Sequence, residues 1–455
     1  MTLSLLLIII ALVLGFYVSW NIGANDVANA IGTSVGSGAL TLLKAVIIAG
    51  ILEFCGAFFL GGNVSETVES GIVNPEVFSR HPIDYVYGML AALLAAGIWL
   101  QIASFFGWPV STTHAIVGGV LGFGVLLGGF NAIYWSKIGS IALSWLISPI
   151  LGGGLAYFIF SLLRRKIFYA PRPIAAAKRI TPFFVFALFT IMPLIILFNG
   201  LSNLKFHLGV FSALGIALLL GLITAWVSYF LIKKVKEETV SSSEEGQNFQ
   251  VSTDLKKSLK NLDRVGADSK RGSLHDKASS FGETTQFRSV ERIFVFLQII
   301  TACFMAFAHG SNDVANAIGP LSAIFGVIQN KAIELPNTVS PWLLVLGGVG
   351  IVLGLATWGW RVIETVGKKI TELTPTRGFA AEFGAAITIV LASKLGLPIS
   401  TTHTLVGAVL GVGFARGIGA INLNTIWDIV LAWVITIPAA AVLSVLFFYG
   451  FRALF

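Results

Sequence analysis

Charge is scarce in this chain. Asp, Glu, Lys and Arg make up 11% of its 455 residues, against about 25% in an ordinary soluble domain, and that shortfall excludes a soluble globular enzyme. It is also uneven: of 52 charged side chains (30 basic and 22 acidic), 22 fall between Lys233 and Arg292. Cysteine is nearly absent. Cys55 and Cys303 lie in separate apolar runs, which excludes a disulfide framework and a cysteine metal site. The first 19 residues carry no Lys or Arg, so they lack the basic start of a secretory signal and read as a retained first span. No HExxH or phosphate-loop lysine motif occurs, so nothing supports an intramembrane metalloprotease or an ATPase. The chain is expected not to be an enzyme and to use no cofactor.

What is present is apolar sequence, 56% of the chain. A span needs about 20 such residues. Runs fall near 3–20, 42–60, 84–106, 110–130, 138–162, 181–199, 207–232, 292–308, 342–360, 378–396, 399–415 and 426–450. The expected fold is therefore an all-α polytopic membrane protein with about twelve membrane segments. The formal net charge of +8 reports topology rather than a nucleic-acid partner. The stretch 233–292 contributes two of it, and the other six equal Arg164, Arg165, Lys166, Arg172, Lys178 and Arg179, a cluster between two apolar runs that marks the inner side. Lys233, Lys234 and Lys236 mark it again, while the loop 62–84, with Glu66, Glu69, Glu76 and Asp84 against Arg80, reads as external. Counting crossings from these marks places both termini outside, in a multi-pass protein of the plasma (inner) membrane.

The chain is internally duplicated. NDVANAIG at Asn25 to Gly32 recurs letter for letter at Asn312 to Gly319, and the block from Ala103 containing PVSTTH matches the block from Ala392 containing PISTTH. The two offsets nearly agree, so the motifs mark one repeated unit. The expected organisation is a first repeat at 1–166, two connecting helices at 167–232, a cytoplasmic loop at 233–291 and a second repeat at 292–455. Five crossings per repeat, an odd number, invert the second relative to the first, the plan of many secondary transporters. Within the loop, Asp254 followed by Leu255, Leu259 and Leu262 suggests one small amphipathic helix, with a solvated linker as the alternative.

Four carboxylates stay embedded in apolar sequence: Asp26, Glu53, Asp313 and Glu382. At about 2.5 to 3.5 kcal/mol each at mid-bilayer, they need partners. Arg and Lys are too few there, so bound cations, Na⁺ first among them, are the expected ones, with Asn29 and Asn316 as further oxygen ligands. The alternative is that each acid packs in protonated form. NDVANAIG is expected to break its helix and free backbone carbonyls for the cation, or to use its small residues for close helix packing. After Pro109 and Pro398, Ser111, Thr112 and Thr113, and Ser400, Thr401 and Thr402, can each open a helix whose free N–H groups and hydroxyls suit a small oxyanion. Asn25 and Asn312 complete the expected anion ligands. Pro-kinked helices with hydroxyls bonded to their own turns are the alternative. His114, His403 and His309 are read either as neutral hydrogen-bonding residues or as a proton or gating relay.

These motifs, GANDVANAIGTSVGSG from Gly23, AHGSNDVANAIGP from Ala308 and the two PxSTTH blocks, resemble the signature of the inorganic phosphate transporter (Pit) family. The resemblance covers both halves. It implies inorganic phosphate as substrate, an inverted-repeat fold with a large internal loop, and cation-coupled symport, with sodium the expected ion. It places the family's important acids on Asp26, Glu53, Asp313 and Glu382, its histidine on His309 and its serines on Ser111 and Ser400, and it suggests a homodimer. Proton-coupled phosphate or metal-phosphate symport, another oxyanion symporter and an anion channel remain the alternatives.

Overall fold

The structure is a computed structural model of the whole chain, and it describes residues 2–197, 208–234, 271–330 and 339–455. The expected amphipathic stretch at Asp254 to Leu262 lies outside the described residues. Among those described, the chain is helical, with a single antiparallel bridge between Val73 and Ile133. Each of the twelve apolar runs falls on a helix. The first half holds α1 (Leu3–Gly36), α2 (Leu42–Ser70), α3 (Pro82–Phe106), α4 (Thr112–Gly128) and α5 (Trp135–Leu163). Two peripheral helices, α6 (Pro173–Leu197) and α7 (Val210–Lys233), follow and pack on each other. The second half holds α8 (Arg271–Asp313), α9 (Ala315–Asn330), α10 (Pro341–Thr357), the short α11 (Trp360–Glu364), α12 (Pro375–Lys394), α13 (Thr401–Arg416) and α14 (Leu423–Leu454).

Among the described residues eight helices are long and apolar enough to cross a membrane, whereas α4 and α10 are shorter apolar helices. Large apolar side chains such as Leu43, Ile150 and Phe211 are 71%, 71% and 89% exposed. Exposed aliphatic and aromatic side chains in such number suit a lipid surrounding rather than water.

Two helices differ from the apolar runs that announced them. The run 3–20 is only the first part of α1, which continues unbroken through NDVANAIG to Gly36. The expected break is absent in this copy. In the second copy the helix is interrupted only at Val314, between α8 and α9. Polar residues end a hydropathy run, but here Asn21 to Ser34 are all buried against other helices, so the polar stretch remains helical.

The packing exchanges between halves. α1 lies on α10 as α8 lies on α2, α5 on α13 as α14 on α4, and α3 on α14 as α12 on α5. Glycines set the first of these pairs. A Cβ on Gly23 would stand 1.9 Å from the Ile351 carbonyl oxygen, and one on Gly310 would stand 2.1 Å from that of Glu53. The backbones therefore approach as only small residues allow. α3 ends on Gly107 and the segment after α12 turns at Gly396, with φ of 70° and 65°, conformations that glycine adopts without strain. Each turn is followed by proline and then by a fresh helix start inside the protein.

Candidate functional site

The site forms where α1, α8 and α9 meet the starts of α4 and α13. Asp26 and Asn29 are three residues apart on α1, so they share a face, and Asn29 Nδ2 donates to Asp26 Oδ1 at 3.0 Å. On α8, His309 stands four residues before Asp313, with its Nε2 3.0 Å from Asp313 Oδ2 and 3.9 Å from Asp26 Oδ2. Its other ring nitrogen, Nδ1, lies 2.9 Å from Glu53 Oε1 on α2. The ligand atoms of Asp26, His309 and Asp313 all lie within 4.8 Å of one another. These residues and Glu53 are buried.

The charge balance of this cluster is plain. Three carboxylates face one imidazole, which carries at most one positive charge. His309 is the only cationic group paired with them among the described residues. Several buried oxygens also lack a hydrogen-bond donor: Asp26 Oδ2, Asn29 Oδ1, Glu53 Oε2, Asn312 Oδ1, Asp313 Oδ1 and Asn316 Oδ1. Such a set of hard oxygen acceptors without donors suits cations. The side chains, not carbonyls freed by a helix break, supply these atoms.

The helix starts at α4 and α13 interlock across the same site. Ser111 caps α4 by accepting from His114 N at 3.2 Å, and Ser400 caps α13 by accepting from His403 N at 3.1 Å. The first-turn N–H groups of Thr112, Thr113, Thr401 and Thr402 have no carbonyl one turn back. Thr113 donates across to Ile399 O at 2.9 Å and Thr402 to Val110 O at 3.1 Å, an exchanged pair. Thr402 Oγ1 also receives Asn29 Nδ2 at 2.8 Å, Asn316 Nδ2 reaches Thr112 Oγ1 at 3.1 Å and Thr113 Oγ1 at 3.2 Å, and Thr401 donates to Asp313 Oδ2 at 2.6 Å. Acidic and hydroxyl-bearing elements thus meet directly: Thr401 reaches Asp313 of its own half, while Thr402 reaches Asp26 Oδ1 of the other half at 3.2 Å, and Asn29 and Asn316 also cross between halves.

Other expected ligands sit differently. Asn25 holds the α3–α4 turn, donating to Ser104 Oγ and Trp108 O, both at 3.0 Å, and accepting from Val110 N at 3.2 Å. Asn312 does the same for the α12–α13 turn through Ser393 Oγ and Leu397 O, both at 3.1 Å. In this conformation both brace the helix starts. His114 and His403 pack edge to face, with ring centroids 4.5 Å apart, and each lies on a tryptophan, Trp145 or Trp433. Those tryptophans donate to Pro398 O and Pro109 O at 3.2 and 3.1 Å. The histidines thus belong to the packing that joins the two turns.

Glu382 lies apart from the central cluster. It is buried, and its carboxylate accepts from Thr33 and Ser34 on α1 and from Thr301 on α8, the last two at 2.6 Å. Gln298 Nε2 adds a longer contact at 3.4 Å. Every one of these partners went unnoticed in the sequence. One signal was available: Asp26, Asn29, Thr33 and Ser37 recur at three- and four-residue spacing, which lines one face of α1.

Both halves are not equally polar. By the repeat offsets, Leu93 takes the place of Glu382, while Pro320, Leu321, Ala11 and Leu14 take those of Thr33, Ser34, Gln298 and Thr301. Of these, Ala11, Leu93 and Leu321 are buried in one hydrophobic cluster, with Leu14 packed against it. Ile22 takes the place of His309 by the same offset, and Ile351 is the counterpart of Glu53 by packing, since the equivalent glycines Gly23 and Gly310 lie against the carbonyls of these two residues.

Interlocked helix starts beside a buried, oxygen-rich acidic cluster, set among helices apolar and long enough to cross a membrane, are the arrangement of a membrane transporter for a small oxyanion. The model of the phosphate transporter family matches residues 22–444, and the chain belongs to that family. It is similar to a Chlamydia pneumoniae protein provisionally named a phosphate permease, 51% identical over 457 residues and 99% of each chain. It is also similar to the chloroplastic inorganic phosphate transporter 2-1 of Arabidopsis thaliana, 46% identical over 97% of this chain and 71% of that protein. Among solved structures, the sodium-dependent phosphate transporter matches with a TM-score of 0.83 and 37% identity, over 99% of this chain and all of that one. The protein is a multi-pass membrane transporter for phosphate, not an enzyme.

Proposed function

We propose that the chain carries inorganic phosphate together with sodium ions by alternating access. The observation that carries this reading is the surplus of buried acceptor oxygens around Asp26, Glu53 and Asp313, faced by a single imidazole. A phosphate anion placed at the Thr112–Thr113 and Thr401–Thr402 helix starts stands next to those carboxylates, and only intervening cations remove the repulsion. Binding of anion and cation is then mutually dependent, and by linkage each raises the affinity of the other. Sodium fits because the open ligands are hard oxygens, and the solved relative is named as sodium-dependent. In this reading Ser111, Ser400 and the four threonines hold phosphate, while Asp26, Asn29, Asp313, Asn316 and Glu53 hold cations. The plasma membrane, with the basic face and the loop 233–291 on the cytoplasmic side, is the proposed setting.

Proton coupling is the second reading, and His309 favours it, because one ring bridges Glu53 and Asp313. Uptake of labelled phosphate into proteoliposomes, with sodium and pH gradients imposed independently and sulfate and arsenate as competitors, separates the readings. Saturable uptake driven by a sodium gradient at constant pH, inhibited by arsenate and not by sulfate, is expected. Uptake that follows only the pH gradient replaces sodium with protons, and non-saturating flux without cation dependence refutes symport.

A further inference from the structure

The basic face of the protein holds a cavity of about 720 Å³, within the size range of small-molecule sites. Five arginines line it: Arg164 after α5, Arg288 and Arg292 on α8, Arg377 on α12 and Arg416 at the end of α13. Among the described residues the only acid in the wall is Glu291, whose two oxygens accept from Thr376 N and Thr376 Oγ1, each at 2.8 Å. Outside the wall, Glu372 pairs with Arg377 at 3.2 Å and Arg416 at 3.3 Å but is itself exposed. Among the described residues, five arginines against these two acids leave three positive charges at the cavity.

The choice of residue is as informative as the charge. Lys166, Lys178 and Lys369 belong to the same basic face, yet every cation lining the cavity is an arginine. A general preference for positive charge at an inner membrane face is met equally by either residue. Guanidinium forks, by contrast, match the paired oxygens of a phosphoryl group, and a concave surface of one sign concentrates counter-ions.

The cavity is also connected inward. Ser37 lines it and donates to Gln298 Oε1 at 2.7 Å, and Gln298 in turn reaches Glu382. From Ser37 the polar face of α1 leads back through Thr33 and Asn29 to Asp26. An apolar wall of Phe160, Phe168 and Val295 completes the space.

We infer that this cavity is a second anion site, separate from the central one, which holds a phosphoryl-bearing anion on the arginines at the basic face. Its ligand is either free phosphate on its way to or from the central site or the headgroup of an anionic phospholipid, since both present the same oxygens to the arginines. The assignment does not depend on which cation drives transport.

The full chain, purified in detergent, is tested by equilibrium binding of radiolabelled inorganic phosphate in choline buffer without sodium. Binding is expected there, and the R288Q/R292Q double variant should lose about tenfold or more of that affinity. Both positions are exposed, and retention by the same variant of a sodium-dependent component, the one D313N weakens, shows that it has folded. A second arm uses nanodiscs of phosphatidylcholine with or without phosphatidylglycerol, with native mass spectrometry of the retained lipids. Sodium-free phosphate binding that is equal in both discs assigns the cavity to free phosphate. Suppression by phosphatidylglycerol, with less of that lipid retained by the double variant, assigns it to the headgroup. Absence of any arginine-dependent binding of phosphate or phosphatidylglycerol in both arms overturns the proposal, whereas a wild-type protein with arginine-dependent binding but no sodium-dependent component would count against the central site and leave this one standing.

Discussion

Asp313→Asn isolates one charge at the central cluster with almost no change of shape. The ligand atoms of Asp26, His309 and Asp313 lie within 4.8 Å of one another, so a cation held among them is no farther than that from the Asp313 carboxylate. At an effective dielectric constant of about 20, two unit charges at that distance interact by about 3.5 kcal/mol. The asparagine keeps an amide oxygen as a ligand and as an acceptor for Thr401, but it removes this attraction. At 1.4 kcal/mol per decade, the half-saturating sodium concentration should rise by about 300-fold. Phosphate affinity at fixed sodium should fall with it, because the two bindings are linked. The assay is labelled phosphate uptake into proteoliposomes across a wide sodium range, paired with the sodium-dependent rise in melting temperature of the purified protein. A half-saturating concentration within about threefold of wild type, on either measurement, would refute the electrostatic reasoning.

Glu382→Gln should leave sodium-dependent phosphate binding in detergent within about threefold of wild type while slowing uptake, because Glu382 sits with Thr33, Ser34 and Thr301 rather than at the central cluster; an equal loss of binding would move it into that cluster. Gly310→Ala places a methyl 2.1 Å from the Glu53 carbonyl oxygen, so it should cost about 1 to 3 kcal/mol through overpacking and lower the melting temperature, whereas Gly154→Ala, with nothing within 4 Å, should not; equal melting temperatures for the two would sink the argument. Ser111→Ala with Ser400→Ala removes both helix caps, at about 1 kcal/mol each, and should weaken phosphate binding at saturating sodium; unchanged affinity would return the serines to capping alone.

Much of the fold was legible because it is written locally. Apolar runs marked twelve helices, and two duplicated motifs announced the repeat. Asp26, Asp313 and the two Ser-Thr-Thr starts could be picked out as buried chemistry in apolar sequence. What escaped depends on contacts between distant positions. His309 meets Glu53 across 256 residues, and Glu382 meets Ser34 across 348, separations at which no spacing rule operates. The continuity of α1 escaped because hydropathy reports transfer to lipid, while Asn21 to Ser34 are buried in protein. Asn25 and Asn312 were expected as anion ligands because polar side chains at membrane depth demand partners, and their amides reach the α3–α4 and α12–α13 turns, contacts across 79 to 85 residues that no spacing shows. The arginine cavity is assembled from α5, α8, α12 and α13, and in sequence its members are ordinary inner-face charges.

The unequal polarity of the repeats bears on how such a carrier would cycle. Were the halves chemically identical, exchanging their conformations would convert one access state into the other at no difference in free energy, and the empty carrier would divide its time evenly. Here Glu382 and the His309–Glu53 pair stand opposite Leu93 and the Ile22–Ile351 pair. Under the proposed alternating access, exchange would move buried ionisable groups into the role that hydrocarbon plays in the other state. The two resting states would then differ in free energy, and the empty carrier would have a preferred side on which to wait for its substrate.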